Sequence, residues 1–220
     1  MRYVSLDLET TGLEPKQPDR ILQIAMVIED NDHPEVPVED LPRFSAIILP
    51  DIEVRGSPTA LAMNSWILIA IEMFKTKMNH KEFMKRYRDL GVPDATLERA
   101  FIAKLDNIFG SLEEVLEEAD AWLDNYFGPK SKYKVNVAGK NVAGFDMMFL
   151  PVEFASRFRH RVIDPGSVFI DWSKDRVDDS GEIARRTTGS LSVSHDALGD
   201  ARDVITWLRH SYPKIDTPKR

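Results

Sequence analysis

Between Ile21 and Ile28 the chain runs apolar without alternation, broken only by Gln23. A strand of this kind is buried on both faces, so the fold must supply a covering layer on each side of its sheet. Arg2 to Leu8 precedes it as an alternating, β-rich stretch that ends in a turn at Thr11-Gly12 and a Pro-containing loop. Phe44 to Leu49 follows as a third strand, after an acidic loop from Glu29 to Pro42 that carries Pro34 and Pro37. Three strands joined by such short links predict antiparallel neighbours.

The middle of the chain changes period. From Thr59 to about Tyr87 the apolar spacing is helical, and a second helix is predicted from Asp94 to Phe109. Ser111, with Glu114 three residues on, forms a capping box that opens a third helix. Its Leu112, Val115, Leu116, Ala119, Leu123 and Tyr126 keep the 3.6-residue period. Lys134 to Ala138 reads as a strand, Phe145 to Phe158 as a helix despite Pro151, and Val162 to Ile163 as a short strand. Asp175 to Ser190 is polar and predicts a mobile loop, and a last helix runs from near His195 to about His210. The pattern predicts an α/β fold: a mixed five-stranded sheet flanked by helices, in one domain over residues 1–210. A helical, basic insertion occupies about 59–110, and 211–220 form a tail.

Lys plus Arg number 29 against 36 for Asp plus Glu, a net charge of -7 in 220 residues. That balance argues against a generally basic nucleic-acid surface, but not against nucleic acid held through cations on acidic ligands. The absence of cysteine excludes disulfides, thiolate zinc sites and cysteine nucleophiles. The longest apolar run, Trp66 to Ile71, is too short to span a membrane. The start MRYVSLDLE puts charges inside the first apolar run, so no secretory signal is read and the expected location is the cytoplasm.

Three clusters carry chemistry. Asp7-Leu8-Glu9-Thr10-Thr11-Gly12 ends the first strand, where residues two apart share a face and Asp7 and Glu9 present paired carboxylates. Such a pair is repulsive unless a proton or a hard cation intervenes. Val135 to Asp146 runs strand, Gly-rich turn, helix start, and delivers Asp146 beside Asn141. His195-Asp196-Ala197-Leu198-Gly199-Asp200 sets His195 and Asp200 about 140° apart on a helix, able to border one cleft. Taken singly, each also reads as solvated acids at a strand or helix end.

In this order the clusters resemble the motifs of the DEDDh (DnaQ-like) 3′–5′ exonucleases of the ribonuclease H-like superfamily. DLETTG is similar to the first motif, Asn141 through Phe145-Asp146 to the second, and His195 to Ala201 to the third. The resemblance implies a ribonuclease H-like sheet whose first three strands form an antiparallel meander. It implies that Asp7, Glu9, Asp146 and Asp200 bind two divalent metal ions, Mg²⁺ or Mn²⁺, with His195 as general base. Lys140 departs from the pattern, standing where many relatives place His before the Asn. The implied partner is single-stranded DNA or RNA. The resemblance also allows a homodimer and a polymerase partner in trans, none being expected within the chain itself.

Thr10, Asn64, Trp66 and Asn141 are the expected substrate contacts, with Trp66 either stacking on a base or lying in the core before Ile67, Leu68 and Ile69. Lys77, Lys81, Lys85 and Arg88 recur at helical spacing opposite Phe74, Met78, Met84 and Tyr87, as a solvated face or a guide for phosphates. Two rival readings exist. Asp7-x-Glu9-x-Thr11 with Gly199-Asp200-x-x-Asp203 mimics haloacid-dehalogenase-type phosphotransferase motifs, but leaves Asn141, Asp146 and His195 unexplained. The other is an inactive nuclease fold used as a binding module, whose signature would be a lost ligand; all five expected residues are present.

Overall fold

In the computed structural model, which describes residues 1–15, 19–51, 53–189 and 196–212, the first three strands form the predicted meander. β1 (Arg2–Thr10) pairs antiparallel with β2 (Ile21–Asp30), and β2 pairs antiparallel with β3 (Arg43–Ile48). The Glu29 to Pro42 connection is a loop apart from the end of β2 and one 3₁₀ turn at Val38–Asp40.

The helical middle is more broken than its periodicity predicts. It comprises α1 (Pro58–Met63), α2 (Ser65–Thr76), α3 (His80–Asp89) and α4 (Asp94–Asp106). Asn64 separates the first two, and Lys77 ends α2 in the left-handed region at φ 52°. The basic stripe is therefore not one helix face. Lys77 sits at the break, Lys81 and Lys85 lie on α3, and Arg88 is bound to Asp94 at 2.6 Å.

α4 also ends earlier than predicted. Asn107 leaves helical geometry, and Ile108–Gly110 becomes β4, parallel to β3. An unpaired edge of β3 competes here with one more helical turn, and the β-favouring Ile108-Phe109 pair takes the ladder. α5 (Leu112–Phe127) then starts at the Ser111–Glu114 capping box, as its sequence predicts. β5 (Val137–Ala138) runs parallel to β1, giving the order β4-β3-β2-β1-β5. The predicted strand at Val162–Ile163 contributes only a bridge from Ile163 to Ala138, so the fifth strand of the sheet is β4.

Pro151 divides the predicted Phe145–Phe158 helix into α6 (Asp146–Phe149) and α7 (Val152–Ala155), because a proline ring cannot continue the helix through that position. α8 (Pro165–Val168) follows. Within the stretch expected to be a loop, α9 (Ser180–Thr187) forms behind a second capping box, Asp179 with Glu182. It buries Ile183 and Ala184. α10 (Ala197–Arg209) is the last helix, and His195, expected near its start, lies outside the described residues.

The two covering layers required by β2 are α5 and α10. Val4, Leu6, Leu8, Ile24 and Met26 pack with Val115, Leu116, Ala119 and Leu123 of α5. Tyr3, Ala25 and Val27 pack with Val204, Ile205, Trp207 and Leu208 of α10. Each large aliphatic side chain buried this way stabilises the fold by about 1.5–3 kcal/mol. Since Tyr3 faces α10, the alternation of β1 turns Asp7 and Glu9 towards α10 as well. The insertion makes its own core, in which Leu22 and Ile47 meet Trp66, Ile67 and Ala70 of α2 and Ala100 and Ala103 of α4. No helix among the described residues is long and apolar enough to cross a membrane.

Candidate active site

Three elements converge at the end of β1. Asp7 and Glu9 project from the strand, Asp200 from the first turn of α10, and one carboxylate oxygen of each lies within 4.8 Å of the others. Asp146, buried at the start of α6, accepts a 2.9 Å hydrogen bond from the Leu8 backbone N–H, which ties it to the strand between the two acids. The turn that delivers it needs unusual backbone. A Cβ on Gly139 would lie 2.6 Å from the Leu6 carbonyl oxygen, and Asn141 adopts φ 52°. Asn141 N–H donates to Asp164 Oδ2 at 2.7 Å, which holds that turn closed.

Gln23, the lone polar residue in the apolar run of β2, positions the other side. Its Oε1 accepts from Ala197 N–H at 3.2 Å and its Nε2 donates to Asp196 Oδ1 at 3.4 Å, fixing the start of α10. The same amide donates to Asn107 Oδ1 at 3.2 Å, and Ser45 Oγ donates to that oxygen at 2.5 Å. One buried side chain thereby links β2, the end of α4 and the N-terminus that presents Asp200.

Burial and mutual repulsion oppose ionisation of the acids at this site. Desolvation, then the neighbouring Asp146 and Asp200, push the Asp7 carboxyl well above its ordinary range. Burial pushes Glu9 up to about 7, against a hydrogen bond from Asn64. Burial also pushes Asp146 up to about 7, against its bond from Leu8 N–H. An all-oxygen donor set whose ionised form is unstable by itself fits a hard divalent cation. Two protein cations already flank it. Lys140 Nζ lies 2.9 Å from Asp200 Oδ1 and 4.9 Å from the Trp207 ring centre. The Arg99 guanidinium lies 4.0 Å over the Trp66 ring, where Asp196, Glu9 and Asp200 act on its charge.

The expected substrate contacts fall in different places. Thr10 is buried, its hydroxyl donating to the Gly12 carbonyl at 2.7 Å. Asn64 is buried and donates to the Thr10 carbonyl at 3.1 Å, besides holding Glu9. Trp66 is 3% exposed and lies beneath Arg99, in the core alternative of its reading. Asn141 is exposed on the rim of a cleft of about 400 Å³ that Lys140, Asp164 and Trp207 also line. Sequence reasoning overlooked Arg99, which carries no local signal in a helix whose charges alternate. It noted Lys140 only as a departure, and gave Gln23 no role although a polar residue inside a fully apolar strand marks an obligatory partner.

No protein-family model matches the chain, and no curated protein matches its sequence. Solved structures do match. The nuclease domain of 3′hExo, a DEDDh family member solved bound to rAMP, is 14% identical with a TM-score of 0.53, over 95% of this chain and 90% of that one. A 3′-exonuclease solved for its recognition of the histone mRNA stem-loop is 13% identical, TM-score 0.52, over 95% and 80%. Cell-death related nuclease 4 is 14% identical, TM-score 0.51, and this chain spans 62% of its length. At such identities the likeness is one of fold: the chain has the mixed α/β architecture of nucleases that include a DEDDh-family exonuclease.

Proposed function

We propose that this chain is a divalent-metal-dependent 3′–5′ exonuclease that removes nucleoside monophosphates from single-stranded DNA or RNA. The observation that carries this reading is the convergence of Asp7, Glu9 and Asp200 within 4.8 Å, beside Asp146, at the end of the central meander of a nuclease-like fold. Asp7, Glu9, Asp146 and Asp200 would hold two Mg²⁺ ions, or Mn²⁺ in their place. When bound, such ions supply a water of lowered pKa and neutralise charge on the phosphodiester undergoing displacement. His195, which immediately precedes the Asp196 cap of α10, takes the proton of the attacking water in this reading, a role suited to an imidazole near neutral pH.

The remaining residues position these groups. Asn64 orients Glu9, Leu8 N–H orients Asp146, and Gln23 sets the helix that carries Asp200. In this reading Trp66 supports Arg99 for a phosphate rather than stacking on a base. Asn141 meets the nucleotide at the cleft rim, and Thr10 shapes the wall through its bond to Gly12. Residues 1–210 act as one domain, with the insertion supplying Arg99.

The test uses single-stranded DNA and RNA oligonucleotides labelled at the 3′ or the 5′ end, with Mg²⁺ or Mn²⁺. Labelled mononucleotide should appear at once from 3′-labelled strands, while 5′-labelled strands shorten stepwise. A protein that binds the strands and the metal yet cuts neither nucleic acid would instead be a binding module.

A further inference from the structure

The acidic cluster already touches a cation that the chain itself supplies. Lys140 and Asp200 meet at 2.9 Å with their side chains only 15% and 13% exposed. No aligned hydrogen bond anchors the ammonium among the described residues; charge and the face of Trp207 hold it. The stem is long and the head can turn, because Lys140 also lines the neighbouring cleft of about 400 Å³. A divalent ion sharing the Asp200 carboxylate would sit against this ammonium in a poorly solvated pocket, where like charges repel strongly.

Charge balance sets the order of events. Four ionised carboxylates with one ammonium carry three net negative charges, and one divalent ion brings the site close to neutral. A second would make it positive until an anion arrives. We propose that Lys140 gates the second divalent ion: in substrate-free protein its ammonium occupies Asp200, and a nucleotide phosphate draws it away. Asp200 is then open to the second ion only when there is something to cut. This deepens the metal-dependent reading above and rests on it.

Mn²⁺ titration by calorimetry, with free Mn²⁺ counted by paramagnetic resonance, tests the gate without reference to turnover. Wild-type protein should bind about one Mn²⁺ per chain alone and about two with a nucleoside monophosphate added. Lys140→Met should bind about two without nucleotide, and Lys140→Arg, which keeps the charge, about one. Lys140→Gln serves where the methionine variant melts early, and Lys134→Met, at an exposed position outside both the cluster and the basic stripe, should behave as wild type. Two ions in wild-type protein without nucleotide, one ion even with it, or an unchanged count in both uncharged variants would overturn the gate and leave the metal site standing. No Mn²⁺ bound by any variant would overturn the metal site itself, and the gate with it.

Discussion

Asp7 and Asp146 are both buried acids in one cluster, yet they differ in what else they do. Asp7 is held against its own tendency to stay protonated, whereas Asp146 also satisfies the buried N–H of Leu8. Asp7→Asn should therefore lower the hydrolysis rate by at least about 100-fold while raising the melting temperature of the metal-free protein, since it removes a charge that burial and neighbours oppose. Asp146→Asn keeps an acceptor for Leu8 and should fold normally without activity. Asp146→Ala should melt lower than Asp146→Asn, by the roughly 1–3 kcal/mol that an orphaned buried donor costs. Thermal melts and initial rates on the three variants check this, and equal melts for the two Asp146 variants would mean that the Leu8 bond contributes nothing.

Helix α10 carries Asp200, and its position depends on β2 at both ends. Near its C-terminus Arg209 pairs with the fully buried Glu29 at 2.7 Å; at its N-terminus Gln23 holds Ala197 and Asp196. Gln23→Leu should cost about 1–3 kcal/mol for the unpaired Ala197 N–H and should lower kcat more than it raises KM, because Asp200 loses its register while the strand-binding surface is untouched. A kcat within twofold of wild type would show that α10 is set by its apolar face alone. Elements of this kind were partly legible in advance. The meander, the α5 capping box and the acids of β1 follow from period and local chemistry that act within a few residues. The breaks at Asn64 and Lys77, and the edge strand at Ile108, were hidden because they depend on which surface is free to pair after the chain has folded. α9 was hidden for another reason: its short polar turn outweighed the Asp179–Glu182 box, although that signal is the one that marked α5. At the site, the carboxylates and the position of Lys140 could be read from motif spacing, but not the contact of Lys140 with Asp200, whereas Arg99 reaches the site from α4, whose placement no spacing encodes.

Over the whole molecule, the strained acids make stability depend on pH and on metal together. Glu9 and Asp146 titrate near 7 in the folded protein against ordinary values of 4.5 and 3.8, so their ionisation is costlier folded than unfolded. The stability associated with their protonated forms is complete below the unfolded values and is lost as pH rises through about 7. Metal-free protein should accordingly melt lower at about pH 8 than at about pH 5, and Mg²⁺ should restore more of the melting temperature at the higher pH, where no proton competes for the oxygens. Glu182, pulled down to about 2 chiefly by the Asp179 backbone N–H, acts in the opposite sense but only as pH falls from about 4.5 through 2, outside that window. A melting temperature independent of pH between about 5 and 8, with and without Mg²⁺, would contradict the charge state assigned to the cluster.

The two cations beside the cluster each rest on an indole, Arg99 on Trp66 and Lys140 on Trp207. Both rings are almost wholly shielded from water, so their emission is governed by the charge lying on them rather than by solvent. The molecule thus carries two intrinsic optical probes, one for each flank of its chemistry. With Trp122 and Trp172 replaced by phenylalanine, removing either remaining indole in turn would let the response of each flank, the lysine's departure and the arginine's engagement, be timed separately as a nucleotide enters.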